Sequence, residues 1–355
     1  MISPESRSRE WITAKHNQYP NIGNPALIEK AIRAFSLLES LVRSDLPFIF
    51  KGGTALMLHL DSPRRLSIDV DIVCPPGTDI HKHLGKYAGE YGFTDVNEIE
   101  RIKRTNVPKS HAEYKYAVSY PSGYPNDHIL LDVLYEDIKY AEVVLLPITS
   151  PFLKTEGETA LVRCPSLSDM LGDKLTAFAP HTTGIPFFKG TNPCFMEVMK
   201  QLFDTSSILD RVDNLSITRD TYRQLVPIEL GYRNLDHLSE ADVLDDTYQT
   251  ALNICLRGAL SKREYEYLTN GANRINEFII TENYSMERAV RDASKVAYLV
   301  RMLQTGNNEV QHFHPKMSEQ LAGQTIVAPQ INKLNRIKKL SPEAFFYWRR
   351  IEELL

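Results

Sequence analysis

The hydrophobic pattern changes near Pro165, and that change limits what the chain can fold into. Before it, apolar stretches are short and closed by Gly or Pro. Phe48-Ile49-Phe50 precedes Gly52-Gly53, and Ile68 to Val73 precedes Pro75-Pro76-Gly77. Tyr114 to Tyr120, Ile129 to Tyr135 and Val143 to Leu146 have the same texture, and all read as strands. One helix is predicted among them. Asn24 and Pro25 suit its N-cap and first turn, and Ile28, Ile32, Phe35, Leu38 and Val42 recur at helical spacing up to Pro47. Thr54 is placed to cap a second, short helix through Leu60. After Pro165 the segments lengthen and carry more charge. Ser166-Leu167-Ser168-Asp169 resembles a capping box, Asn192-Pro193 is expected to open another helix, and from Ile217 onward the pattern is mainly helical, looser around Gln311 to Gln330. The expected class is α+β. A domain with a small mixed sheet and an N-terminal helical extension spans 1–160, and a mainly helical domain spans 161–355, joined near 150–165.

A chain of 355 residues fits two domains. Its formal net charge of -4 excludes a general polycation, so nucleic acid would have to meet a local basic patch. The N-terminus lacks an apolar signal region, and no apolar run reaches membrane-spanning length. Cys74, Cys164, Cys194 and Cys255 are widely spaced and form no CxxC, as expected of reduced buried thiols. A cytoplasmic protein without a membrane partner is the expectation.

Three short elements carry the chemistry. In Asp69-Val70-Asp71 the alternation of a strand turns Ile68, Val70 and Ile72 inward and sets Asp69 and Asp71 side by side. Such a pair is either a solvated strand face or a site for a hard cation. Asp132 lies inside the apolar run Ile129 to Tyr135, where a carboxylate needs either an arginine or a metal. Lys51-Gly52-Gly53-Thr54 is a turn into a helix. It can be only a turn, or it can bring backbone N–H groups and the Thr54 hydroxyl to a phosphate.

The order of these pieces, with Arg65-Leu66-Ser67-Ile68-Asp69-Val70-Asp71 between them, resembles the DNA polymerase β-like nucleotidyltransferases. More narrowly it resembles the AbiEii/AbiGii/MenT family, the nucleotidyltransferase toxins of type IV toxin–antitoxin systems. Two later helices extend the likeness. Lys174 projects from the apolar face made by Leu167, Met170, Leu171 and Phe178, and Leu171-Gly172-Asp173-Lys174-Leu175 resembles the family's phosphate-contacting lysine helix. From its surroundings alone, Lys174 either meets an anion or snorkels to water. Lys200-Gln201-Leu202-Phe203-Asp204 resembles the family's Arg/Lys-Asp-x-x-Asp helix, with Gln201 in place of the first acid. Lys200 and Asp204 are also spaced for a plain surface ion pair.

The resemblance covers roughly residues 45–210. It implies a polymerase β-like first domain, with Lys174 and Asp204 brought to the cleft by the second. It implies Asp69, Asp71 and Asp132 on two Mg²⁺ ions, for which Mn²⁺ can substitute. Gly52, Gly53, Thr54, Arg65, Ser67 and Lys174 are then the nucleotide-binding set, and Lys174 and Asp204 join the acids as catalytic residues. The implied activity is transfer of a nucleoside monophosphate from an NTP to an acceptor, RNA such as tRNA, by a toxin with a cognate antitoxin. A protein or small-molecule hydroxyl as acceptor, and a non-catalytic nucleotide- or RNA-binding module, are the alternatives.

Outside these elements, His312-Phe313-His314 lacks a third ligand. Arg101, Lys103, Arg104, Lys109 and Lys115 form one basic stretch. Lys333, Arg336, Lys338, Lys339, Arg349 and Arg350 form another, around Phe345, Phe346, Tyr347 and Trp348. Each is either a solvated face or a nucleic-acid contact, and the second combines cations with aromatics as single-stranded RNA recognition requires.

Overall fold

Ser8 and Asn24 each turn the chain into a helix. The Ser8 hydroxyl accepts from the Trp11 N–H at the start of α1 (Arg9–Gln18), and the Asn24 side-chain Oδ1 accepts from Ala26 N–H at 2.9 Å, opening α2 (Pro25–Arg43) with Pro25 in its first turn. The computed structural model describes residues 1–60, 62–99, 107–120 and 124–355. These divide into two compact units, Met1–Ser166 with Asn276–Asn283, and Leu167–Ile275 with Tyr284–Leu355.

In the first unit, β1 (Ile49–Lys51) runs into α3 (Gly52–His59), followed by β2 (Val70–Cys74), β3 (Phe93–Ile99), β4 (Lys109–Ala117) and β5 (Asn126–Tyr135). They form one five-stranded sheet in the order β1-β2-β5-β4-β3, in which only the β2–β5 pair is parallel. Alternation decides which face is covered. Ala112, Tyr114 and Tyr116 of β4 and Ile129, Leu131 and Val133 of β5 are buried, while His111, Glu113, Leu130 and Asp132 are only partly so. α2 covers the buried face. Its Arg33 lies 4.6 Å over the Tyr116 ring and pairs at 3.1 Å with Glu29, whose carboxylate accepts the Ser119 and Tyr120 N–H groups. β6 (Val143–Pro147) and β7 (Leu161–Pro165) form a separate hairpin. The segment Asn276–Asn283 returns to this unit late in the chain. It binds the stretch before β2 through Leu66 N–H to Phe278 O (2.7 Å) and Ile280 N–H to Arg64 O (2.9 Å).

The second unit is helical. It contains α4 (Leu167–Ala177), the short strands β8 (Phe188–Lys189) and β9 (Asn192–Pro193), and α5 (Phe195–Leu209). α6 (Ser216–Tyr232), α7 (Glu240–Cys255), α8 (Lys262–Ile275), α9 (Met286–Thr305), α10 (Ser318–Ala322) and α11 (Pro342–Glu353) follow. α4 packs closely on α6 at Gly172, where a side-chain methyl would lie 2.7 Å from the Thr218 carbonyl. The expected helix start at Asn192-Pro193 is wrong. These residues pair with Phe188-Lys189 in a hairpin, Cys194 N–H bonds Phe187 O, and α5 opens only at Phe195. All four cysteines are buried free thiols, and burial raises Cys74 to about 11 and Cys164 and Cys255 to about 12. Among the described residues no helix is long and apolar enough to cross a membrane.

Candidate active site

The turn from β1 into α3 is built by two glycines pressed from different sides. Gly52 has φ +81°, a left-handed conformation that costs an L-residue about 1–2 kcal/mol. A methyl group there would also lie 2.9 Å from Cγ of Asp71 and closer still to Oδ2. At Gly53 it would lie 2.6 Å from Arg65 Nη2 and 2.6 Å from Ser67 Oγ. The two glycines therefore let one carboxylate, one guanidinium and one hydroxyl meet at a single backbone turn. Thr54 does not cap the helix as expected. The helix begins one turn earlier than Thr54 allows, with Lys51 at the cap position and no side-chain cap bond. Thr54 is fully buried, and its hydroxyl donates to Asp69 O at 2.6 Å, tying α3 to the approach of β2. Thr54 thus positions the Asp69 backbone, and its hydroxyl is already engaged.

The sheet register brings two of the three acids together. Asp71 on β2 is the direct partner of Asp132 on the parallel β5. Lys51 on β1 stands opposite Asp71, and His111 on β4 stands opposite Asp132. Directly opposed residues share a sheet face, so Lys51, Asp71, Asp132 and His111 form one row across four strands. His111 Nδ1 is hydrogen-bonded to Asp132 Oδ1. A carboxylate only accepts, so Nδ1 carries the proton. Neither His111 nor Lys51 stood out in the sequence, because nothing local to either shows which strand lies beside it.

Asp69 precedes β2 and is exposed. Among the described residues no three His, Cys, Asp or Glu side chains are gathered closely enough to hold an ion by themselves. Two carboxylates abreast next to a phosphate-sized turn nonetheless suit a hard cation. Mg²⁺ commonly takes one or two carboxylates and completes its shell with phosphate and water. Arg65 is 7% exposed and donates to Leu66 O at 2.9 Å. Its backbone bridges to Ile279, so the returning segment fixes the stretch that carries both Arg65 and Ser67.

Within the second unit, Lys174 on α4 and Asp204 on α5 meet at 2.9 Å, and Lys174 also reaches Gln201 Oε1 at 3.3 Å. Asp204 is fully buried. The snorkelling alternative for Lys174 fails, since its ammonium is engaged by a buried carboxylate.

Residues 36–272 match the family described as nucleotidyl transferase AbiEii toxin, type IV toxin–antitoxin system. The chain belongs to this family. The match spans well over half of the sequence and contains Lys51, Asp71, His111 and Asp132 of the first unit and Lys174 and Asp204 of the second. Nucleotidyl transfer as a toxin activity, a nucleotide substrate and an antitoxin partner are what membership in the AbiEii family carries. No curated protein matches the chain in sequence. A crystal structure of an antigenic nucleotidyltransferase-like protein from Paracoccidioides brasiliensis is similar over 59% of this chain and 92% of its own, with 15% identity and a TM-score of 0.35.

The C-terminal basic–aromatic run lies beyond the AbiEii match and is not a stacking surface. Phe345, Phe346, Tyr347 and Trp348 are all at most 2% exposed, packed into the second unit by α11. Lys338 donates to Ala322 O and Gln324 O, Arg336 to Leu256 O, Arg349 is paired with Glu352, and Arg350 donates to Glu353 at 2.6 Å. His312 pairs with Asp213 at 3.0 Å. In the other basic stretch, Arg101, Lys103 and Arg104 lie outside the described residues. Lys109 is exposed, and Lys115 stands 3.8 Å from Asp95.

Proposed function

We propose that this AbiEii-family chain transfers a nucleoside monophosphate from an NTP to an RNA hydroxyl, tRNA being the expected acceptor, with Asp69, Asp71 and Asp132 holding Mg²⁺. The observation that supports it is the register of Asp71 beside Asp132, next to the turn at Gly52 and Gly53. A divalent cation bound there supplies charge for the departing pyrophosphate and lowers the pKa of the attacking hydroxyl. The remaining work falls to the chain's own groups. The backbone N–H groups at the start of α3 point at phosphate oxygens. Arg65 and Ser67, already lying against Gly53, add a charge and a hydroxyl to the same cradle. Lys174 and Asp204 are paired with each other in the second unit. The acceptor oxygen forms a bond to the α-phosphorus, the bond to the β-phosphate oxygen breaks, and pyrophosphate leaves with that electron pair. Asp132 offers a carboxylate oxygen for the hydroxyl proton. Positioning and charge stabilisation account for most of the rate.

The test is incubation of the full chain with each labelled NTP, Mg²⁺ and total RNA, followed by sizing of the product and assay of pyrophosphate. Label in the tRNA size range, lost in Asp71→Ala and Asp132→Asn, is expected. Label in protein or small molecules would move the acceptor to another hydroxyl. Absence of pyrophosphate with any acceptor would leave a binding module. Undiminished transfer by a folded Asp71→Ala protein would end the carboxylate reading.

A further inference from the structure

We propose that His111 is the positioning residue for Asp132, holding one carboxylate oxygen so that the other faces a cation. The inference rests on the reading of Asp132 as a cation-holding acid. β5 lies between β2 and β4, so Asp71 and His111 flank Asp132 from opposite sides in the same register row. Two carboxylates abreast repel, and Asp132 left alone would rotate away from Asp71. The Nδ1–H of His111 opposes that rotation by engaging Oδ1. Among the described residues it is the one hydrogen-bond partner of the Asp132 side chain, and Oδ2 has none.

The contact does little for the fold itself. The His111 and Asp132 side chains are 25% and 40% exposed, where such a pair is worth at most about 1 kcal/mol. β4 and β5 are already joined by a continuous nine-pair ladder from Lys109–Leu134 to Ala117–Asn126. The value of the imidazole is orientation, the part played by groups that hydrogen-bond a metal-ligating carboxylate and whose loss costs about 10–100-fold in metal affinity.

Mn²⁺ binding by the full chain tests this, measured by calorimetry or by the electron paramagnetic resonance of free Mn²⁺, beside thermal melts. His111→Phe keeps a ring and removes the donor, His111→Ala removes both, and His111→Asn keeps an N–H near the place of Nδ1. Phe and Ala are expected to weaken Mn²⁺ binding about tenfold or more with melting unchanged, and Asn to recover most of it. Wild-type Mn²⁺ affinity in His111→Phe, with affinity lost in Asp132→Ala, would overturn the role of His111 alone. Wild-type affinity in Asp132→Ala would overturn the metal reading beneath it.

Discussion

Alanine at Gly52 is the sharpest perturbation the site offers, because the same change can be made at Gly77 as a control. Both glycines have nearly the same positive φ, +81° and +82°. Either substitution therefore carries the left-handed penalty of about 1–2 kcal/mol, less what alanine removes from unfolded-state entropy. The surroundings differ. At Gly77 a methyl group meets nothing within 4 Å, whereas at Gly52 it lands 2.9 Å from Asp71 Cγ and 3.1 Å from its Cβ. Carbon atoms pack at about 3.5–4.0 Å, so Asp71 must retreat by roughly 1 Å. A displacement of that size in a reacting constellation costs on the order of 10²-fold in rate. Label transfer from NTP, with melting curves of both variants, reads the two effects separately. Gly77→Ala is expected to melt lower and transfer label normally. Gly52→Ala is expected to lose about two further orders of magnitude in transfer. Equal turnover in the two variants would refute the claim that the turn is shaped around the Asp71 carboxylate.

Lys174→Met removes the 2.9 Å ion-pair partner of the fully buried Asp204 and should lower the melting temperature, while Lys174→Met/Asp204→Leu should regain most of it without regaining transfer. A single variant that melts at or above wild type would contradict this. His181 gives a pH prediction. Its ring is bonded to Asp246 at 2.7 Å and Glu264 at 3.1 Å, and the bond to Asp246 first, then the two carboxylate charges, lift it to about 9. The folded value lies above the unfolded one of about 6.5, so its stabilisation is complete below about pH 6.5 and lost as pH rises through about 9. The side chain is 50% exposed, which limits the contribution to about 1 kcal/mol after screening. The gap in melting temperature between wild type and His181→Gln should close between about pH 6 and pH 10, and a gap independent of pH would refute the assignment.

The strand faces were legible wherever alternation ran long enough. Val70 and Ile72 against Asp71 announced a covered and an open side, whereas Asp132 stood in a run apolar on both sides, Ile129 to Tyr135, and its open face became visible only in the fold. The strand neighbours were not legible. Nothing in Ile68 to Val73 says that β2 lies parallel to β5, and only that pairing puts Asp71 beside Asp132 and His111 on its far side. β3, with Thr94, Asp95, Asn97 and Glu98 in Phe93–Ile99, has too little apolar content to signal a strand. The Asn192-Pro193 signal was local and was overridden by the hairpin it closes with Phe188-Lys189. The aromatic run in α11 misled for a geometric reason. Four consecutive helical positions at about 100° apart encircle the axis, so Phe345 to Trp348 cannot present one common face to a nucleic acid. Their burial follows once the helix is surrounded.

The pairing of Arg65 with Ile279 joins residues more than two hundred positions apart. On the ribosome, the stretch that carries Arg65 and Ser67 emerges more than two hundred residues before its anchor at Phe278 to Ile280. Closing so large a loop is slow as well as late. The nascent polypeptide therefore carries its acids and its glycine turn through those two hundred residues without the strap that fixes their neighbours. The stretch around Arg65 and Ser67 thus gains its anchor only after the helices α4 to α8 have been made.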